Sequence, residues 1–142
     1  MRQLIETLFH ACEAGDLARV KEIIAAGNHD ADGNNRWQTD IDPRGWQRSP
    51  LHLAIVSGHL QLAGWLLENG ADPNPRTKYG DTPLNTILDS PLPRHWRDAV
   101  TLLMRHGADP RIANDEDESP VSRAQRIPAV WREVEALFTK AS

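Results

Sequence analysis

Apolar residues along this chain fall into short runs at helical spacing, separated by polar stretches punctuated with glycine and proline. Leu62, Trp65 and Leu66 recur at the 3.6-residue period that gives a helix one buried stripe. Val20, Ile23 and Ile24 follow a first run at Leu8 and Phe9. The pattern predicts helices near residues 4–13, 17–26, 50–57, 60–69, 83–89, 96–106, 120–126 and 129–138. Three phrases mark where alternate helices begin: Ser49-Pro50-Leu51-His52, Thr82-Pro83-Leu84-Asn85 and Ser119-Pro120-Val121-Ser122. In each, the hydroxyl is placed to accept from a free N–H of the first turn. The proline behind it occupies the first helical position, where a missing donor costs nothing. Gly70-Ala71-Asp72-Pro73 and Gly107-Ala108-Asp109-Pro110 close two of the second helices, since glycine tolerates the left-handed turn and proline bars continuation.

The interval from Pro50 to Pro83 is 33 residues and from Pro83 to Pro120 it is 37. A period of that size predicts a solenoid, in which one helix pair stacks on copies of itself and each unit contacts only its neighbours. These residues resemble the ankyrin repeat family, whose repeat runs Gly-x-Thr-Pro-Leu-His-x-Ala, then Gly-His, a leucine-rich helix and Gly-Ala-Asp. Residues 44–76 match best. The resemblance implies an all-α solenoid of about four stacked helix–turn–helix repeats with short β-hairpin finger loops. It implies one domain over 1–142, with repeats near 1–33, 44–76, 77–113 and 114–142. The first repeat, around Leu8-Phe9-His10-Ala11, lacks the Thr-Pro start. The last loses its closing Gly-Ala-Asp and carries Pro128 where its second helix should begin. Degraded outer units are expected, because nothing stacks beyond them.

Two insertions interrupt the stack. From Gly27 to Gly70 is 43 residues, ten more than one repeat, and the surplus falls near 34–43. Long loops in compact folds commonly carry function. Trp37 and Trp46 on this polar segment are either anchors for a partner or covers for the apolar edge of the first repeat. Asp30, Asp32 and Asn34 alternate as in a calcium loop, but Asn35 and Ile41 stand where an EF-hand needs glycine and a bidentate acid. No metal is expected there. The second insertion, near 90–94, brings Pro91, Pro93, Arg94, His95 and Trp96 beside the inner helix of the third repeat. Packing under the loop is the favoured role for Trp96, with partner contact the alternative.

Composition narrows the function. The formal charge of −4 argues against nonspecific attraction to nucleic acid. A lone cysteine, Cys12, excludes an internal disulfide and fits a reducing compartment. Glu6 stands where a signal peptide would begin its apolar core, and no run approaches the roughly 18 apolar residues of a membrane span. A cytoplasmic chain off the membrane is the expectation. None of the six histidines forms a metal pair at helical spacing. The resemblance gives His52 a hydrogen-bonding role between repeats and makes His59 the turn histidine, while His106 suits the negative end of a helix. Cys12 reads as a small buried hydrophobe rather than a nucleophile. No catalytic residue and no cofactor is expected.

In the family the resemblance points to, fingers and inner helices form a concave groove. Carried over by position, that groove comprises Trp46 and Arg48, Val56 and Ser57, Lys78, Tyr79 and Asp81, Asp89 and Ser90, and Glu116 and Glu118, with Trp37 on the insertion beside it. Arg36, Arg44 and Arg48 make one end basic. The run Asp115-Glu116-Asp117-Glu118 makes the other acidic. Part of it is structural, lying close to the positive N-terminus of the following helix, and the rest is either a solvated tip or a rim for a basic partner. The expected activity is non-catalytic binding of another protein by a monomer. Its alternative is an immunity or antitoxin-type inhibitor that caps a toxin or enzyme. A small-ligand or enzymatic role is the remaining class and would need convergent polar groups that the sequence does not display.

Overall fold

The computed structural model describes residues 2–26, 46–89 and 92–140, with side chains from residue 8 onward. Among the described residues the chain forms eight helices and no strand. They are α1 (Arg2–Ala14), α2 (Leu17–Ala25), α3 (Pro50–Val56), α4 (Leu60–Glu68), α5 (Pro83–Ile87), α6 (Trp96–Arg105), α7 (Pro120–Gln125) and α8 (Pro128–Lys140). α1 packs on α2 and α3, α3 on α4 and α5, α5 on α6 and α7, and α7 on α8, while α4 packs on α6. Odd-numbered helices therefore form an inner row and even-numbered ones an outer row, the helical solenoid that the period implies.

The starts of the inner helices follow from their caps. Ser49 Oγ accepts from the His52 N–H at 3.2 Å, and His52 Nδ1 accepts from the Ser49 N–H at 3.1 Å, closing a capping box. Thr82 accepts from the Asn85 N–H, and Ser119 and Ser122 form a second reciprocal box. Pro128, which stands in sequence where the second helix of the last repeat should begin, opens α8, because a proline's fixed φ suits the first helical position. α5 stops at Ile87, two residues short of the sequence expectation. The Asp89 N–H there bonds the Thr86 carbonyl three residues back, which tightens the last turn.

Apolar stripes from neighbouring pairs interlock. Leu8, Phe9 and Cys12 of α1 and Leu51 and Ile55 of α3 are all essentially inaccessible, as are Leu62 and Leu66 of α4 and Leu103 of α6. Polar side chains then stitch each pair to the next. His52 Nε2 donates to the Asp81 carbonyl at 2.8 Å. Its other nitrogen accepts from the Ser49 N–H, a group that can only donate, which fixes the tautomer. Asn85 occupies the same place one repeat later and donates from Nδ2 to the Glu118 carbonyl, also at 2.8 Å. On the opposite side, His59 and His95 donate from Nε2 to the Glu13 and Ile55 carbonyls at 2.9 and 2.7 Å. The His59 ring lies flat against Gly15, where a Cβ would come within 2.5 Å of it.

Two outcomes test this packing. Leu66→Ala is expected to lower stability by about 2–5 kcal/mol, since the side chain is fully buried between pairs. A denaturant melt that moves no more than for an exposed control such as Leu137→Ala would place the register elsewhere. His52→Ala should cost about 1–3 kcal/mol by leaving buried backbone groups unpaired, and His52→Asn should recover part of it, because Asn85 performs the same bond. Equal losses for both variants would show that the bond to the Asp81 carbonyl is not what holds the pair.

Candidate functional site

The finger before each of α3, α5 and α7 turns on a left-handed residue two places ahead of the capping hydroxyl. Gln47 has φ 57°, Gly80 84° and Asp117 62°. Only Gly80 adopts this without a Cβ penalty, and a Cβ there would meet Asp115 and Arg76 at under 3 Å. The third and fourth fingers share an internal brace. Thr77 Oγ1 accepts from the Tyr79 and Asp81 N–H groups, and Asn114 Oδ1 accepts from those of Glu116 and Glu118. Successive fingers are then joined through the backbone. The Lys78 N–H donates to the Trp46 carbonyl at 2.8 Å and the Asp115 N–H to the Tyr79 carbonyl at 3.0 Å.

This ladder sets Trp46 and Tyr79 at equivalent points on adjacent fingers, 45 % and 53 % exposed. Together they line a pocket of ≈ 300 Å³ with Arg48, His52, Val56, Thr77, Asp81 and Thr86. The Arg48 guanidinium stacks over the Trp46 ring at 5.1 Å. Val56, 47 % exposed at the end of α3, supplies the apolar wall on the helix side. The Asp81 carboxylate is held by Asn114 Nδ2 at 2.9 Å and Asn85 Nδ2 at 3.3 Å, with the Arg123 guanidinium 3.9 Å away.

Of the residues expected from sequence, the structure gathers Trp46, Arg48, Val56, Tyr79 and Asp81 into this one pocket. Lys78 is exposed beside Tyr79, and Ser57 is exposed at the end of α3 without lining the pocket. Asp89, Glu116 and Glu118 lie beyond it, toward α7. Glu118 is engaged within the chain: hydrogen bonds from Arg126 and then Arg123 hold its carboxyl below the usual carboxylate range. Trp37 and Ser90 lie outside the described residues, as does the calcium-like stretch. Trp96 is buried, with the Arg97 guanidinium over its ring.

Sequence reasoning missed Arg123, whose side chain is only 11 % exposed. It donates to the Asn85 carbonyl at 2.7 Å and to Glu118 at 3.1 Å, with Asp89 at 4.0 Å. It missed Thr86 as well. Aligning the three Ser/Thr-Pro phrases would have shown both, since Leu53, Thr86 and Arg123 share one position.

A wider recess of ≈ 540 Å³ on the far face of α7 and α8 is lined by Arg111, Ser119, Val121, Gln125, Trp131, Phe138 and Thr139. It lies where a further pair would stack, and none of the expected site residues lines it. Burial, and then the neighbouring Glu13, push the Cys12 thiol up to about 12, so it is no nucleophile at neutral pH. Among the described residues no three His, Cys, Asp or Glu side chains are grouped to hold a metal ion. No helix there is long and apolar enough to cross a membrane.

Comparison with known proteins agrees with this geometry. A family profile described as ankyrin repeats, in 3 copies, matches residues 8–114. The E3 ubiquitin-protein ligase XBAT33 of Arabidopsis thaliana is 43 % identical over 99 residues, 70 % of this chain and 17 % of its own length. Protein phosphatase 1 regulatory subunit 27 of Mus musculus is 33 % identical over 106 residues, 75 % of this chain and 60 % of its own. The 2-5A-dependent ribonuclease of Mus musculus is 36 % identical over 77 residues, 54 % of this chain and 9 % of its own. The chain thus spans less than two thirds of the length of each, and of the two named for enzymatic activity only a small part. Repeats of this kind are in general protein-interaction modules rather than catalysts. The profile, the relatives and the stacked helix pairs lead to one conclusion: this chain belongs to the ankyrin repeat family.

Proposed function

We propose that the chain is a single non-catalytic domain that binds another protein through the face formed by its fingers and inner helices. The observation that carries this is the Trp46–Tyr79 pair, two large aromatics exposed side by side across an apolar pocket instead of buried in the stack. Large stiff aromatics give contact area at little entropic cost, which is why they dominate binding energy at interfaces. Val56 extends the apolar patch, while Arg48 and Lys78 supply charge at its edge. The reading places a monomer in the cytoplasm with a protein partner rather than nucleic acid, supported by the formal charge of −4 and the unreactive lone thiol.

Capture from native lysate, with the retained protein identified and its affinity measured, tests the face. Trp46→Ala and Tyr79→Ala are each expected to weaken binding by about 2 kcal/mol or more with thermal melts unchanged. Leu137→Ala, on the outer row, should bind like the parent. Binding that survives both aromatic substitutions but is lost in Trp37→Ala would move the site to the 34–43 insertion and leave the groove as scaffold.

A further inference from the structure

We infer that the occupant of the Trp46–Tyr79 pocket is a partner-protein segment with an apolar anchor side chain flanked on one side by basic residues, the basic part lying over the fourth finger. The inference rests on the protein-binding reading above and adds the chemistry and placement of the partner.

The surface changes character along both rims of the groove in the same sense. On the finger side, the position of Trp46 and Tyr79 is taken in the next finger by Glu116, because the backbone ladder continues from Tyr79 to Asp115 in unchanged register. On the helix side, the position of Val56 at the end of α3 is taken in the next repeat by Asp89, which lies just past the end of α5 with its side chain 70 % exposed. An apolar site in the second and third repeats thus opens into an anionic one in the third and fourth.

The chain's own cations do not neutralise that end. Asp81, Asp89 and Glu118 share the single guanidinium of Arg123, at 3.9, 4.0 and 3.1 Å, and Arg123 is further tied to the Asn85 carbonyl. Arg126 is engaged with Glu118. Asp115, Glu116 and Asp117 are exposed on the fourth finger and join no ion pair among the described residues. Arg76 on the third finger donates to the Gly80 and Ala113 carbonyls at 3.2 and 2.8 Å, and its guanidinium and the Asp115 carboxylate both lie against Gly80. Six carboxylates against the engaged guanidiniums of Arg76, Arg123 and Arg126 and the exposed Lys78 leave this end net negative, which attracts a basic segment and repels an acidic one.

The pocket supplies what charge alone does not. Its walls of Trp46, Val56 and Tyr79 and its volume of ≈ 300 Å³ suit one large apolar side chain. Arg48 lies over the Trp46 ring, so an apolar anchor rather than a second cation fits beside it. A small molecule seated in the pocket leaves the fourth finger untouched. A polypeptide spans both.

The test is selection from a random peptide library displayed on phage, with the full chain as bait, followed by fluorescence anisotropy of the labelled winners. Winners are expected to carry Leu, Ile, Met, Phe or Trp with clustered Lys or Arg on one side of it, and to lose affinity as salt rises. The double variant Asp89→Lys/Glu116→Lys should weaken them by about tenfold or more. Asp89→Asn/Glu116→Gln, which removes the charge without reversing it, should give a smaller loss and guards against misfolding of the first. Winners that depend on Trp46 and Tyr79 but are neutral or acidic, or that bind both charge variants unchanged, overturn the inference and leave the protein-binding reading intact. Winners indifferent to Trp46→Ala/Tyr79→Ala overturn both, as does a failure to enrich any peptide above that double variant.

Discussion

His52 is held from both sides, and much else depends on it. One ring nitrogen closes the cap that starts α3; the other reaches the backbone of the following finger. A single neutral imidazole therefore couples a local event, helix initiation, to a tertiary one, the docking of the next pair. Asn85 repeats the tertiary half of this arrangement. Ser122, at the same position in the last pair, closes only the local half. No helix pair here buries its apolar stripe unaided, so stability is a property of neighbours in contact rather than of a centre.

The same linkage aims the candidate site. The finger tips carry little packing of their own, and their positions come from the backbone ladder and from the Thr77 and Asn114 braces. Placing an aromatic at the shared tip position of two consecutive fingers yields a pair facing one pocket with no special loop geometry. Changing that residue to an acid in the next finger alters the chemistry and leaves the shape in place. Repeat architecture lets the surface chemistry vary along the groove while the scaffold stays constant.

Most of the fold is legible in sequence because the signals are local. Hydroxyl–proline starts, glycine stops and a 3.6-residue stripe locate every described helix to within about two residues. Pro128 is read within one residue of its place, because a proline followed by an apolar stripe at helical spacing begins a helix rather than ends one. The equivalence of Trp46 and Tyr79 is also legible, since the repeat spacing states it. The state of the charged residues is not. Sequence places Asp81 in the groove and Glu118 in an acidic run, but not the Asn114, Arg123 and Arg126 side chains that reach them from later in the chain. Which residue of one repeat reaches back to the last depends on side-chain length and direction across an interface. A spacing pattern within one repeat carries no record of that.

Cys12 gives this architecture an internal clock. Its thiol is sealed beneath the first helix pair and stays protonated at neutral pH, so a thiol reagent reaches it only when that pair opens. The rest of the chain has no other sulfhydryl to confuse the reading. Labelling kinetics in the folded protein would report opening of the first helix pair separately from unfolding of the whole. In a chain of nearest-neighbour contacts those two free energies need not be equal.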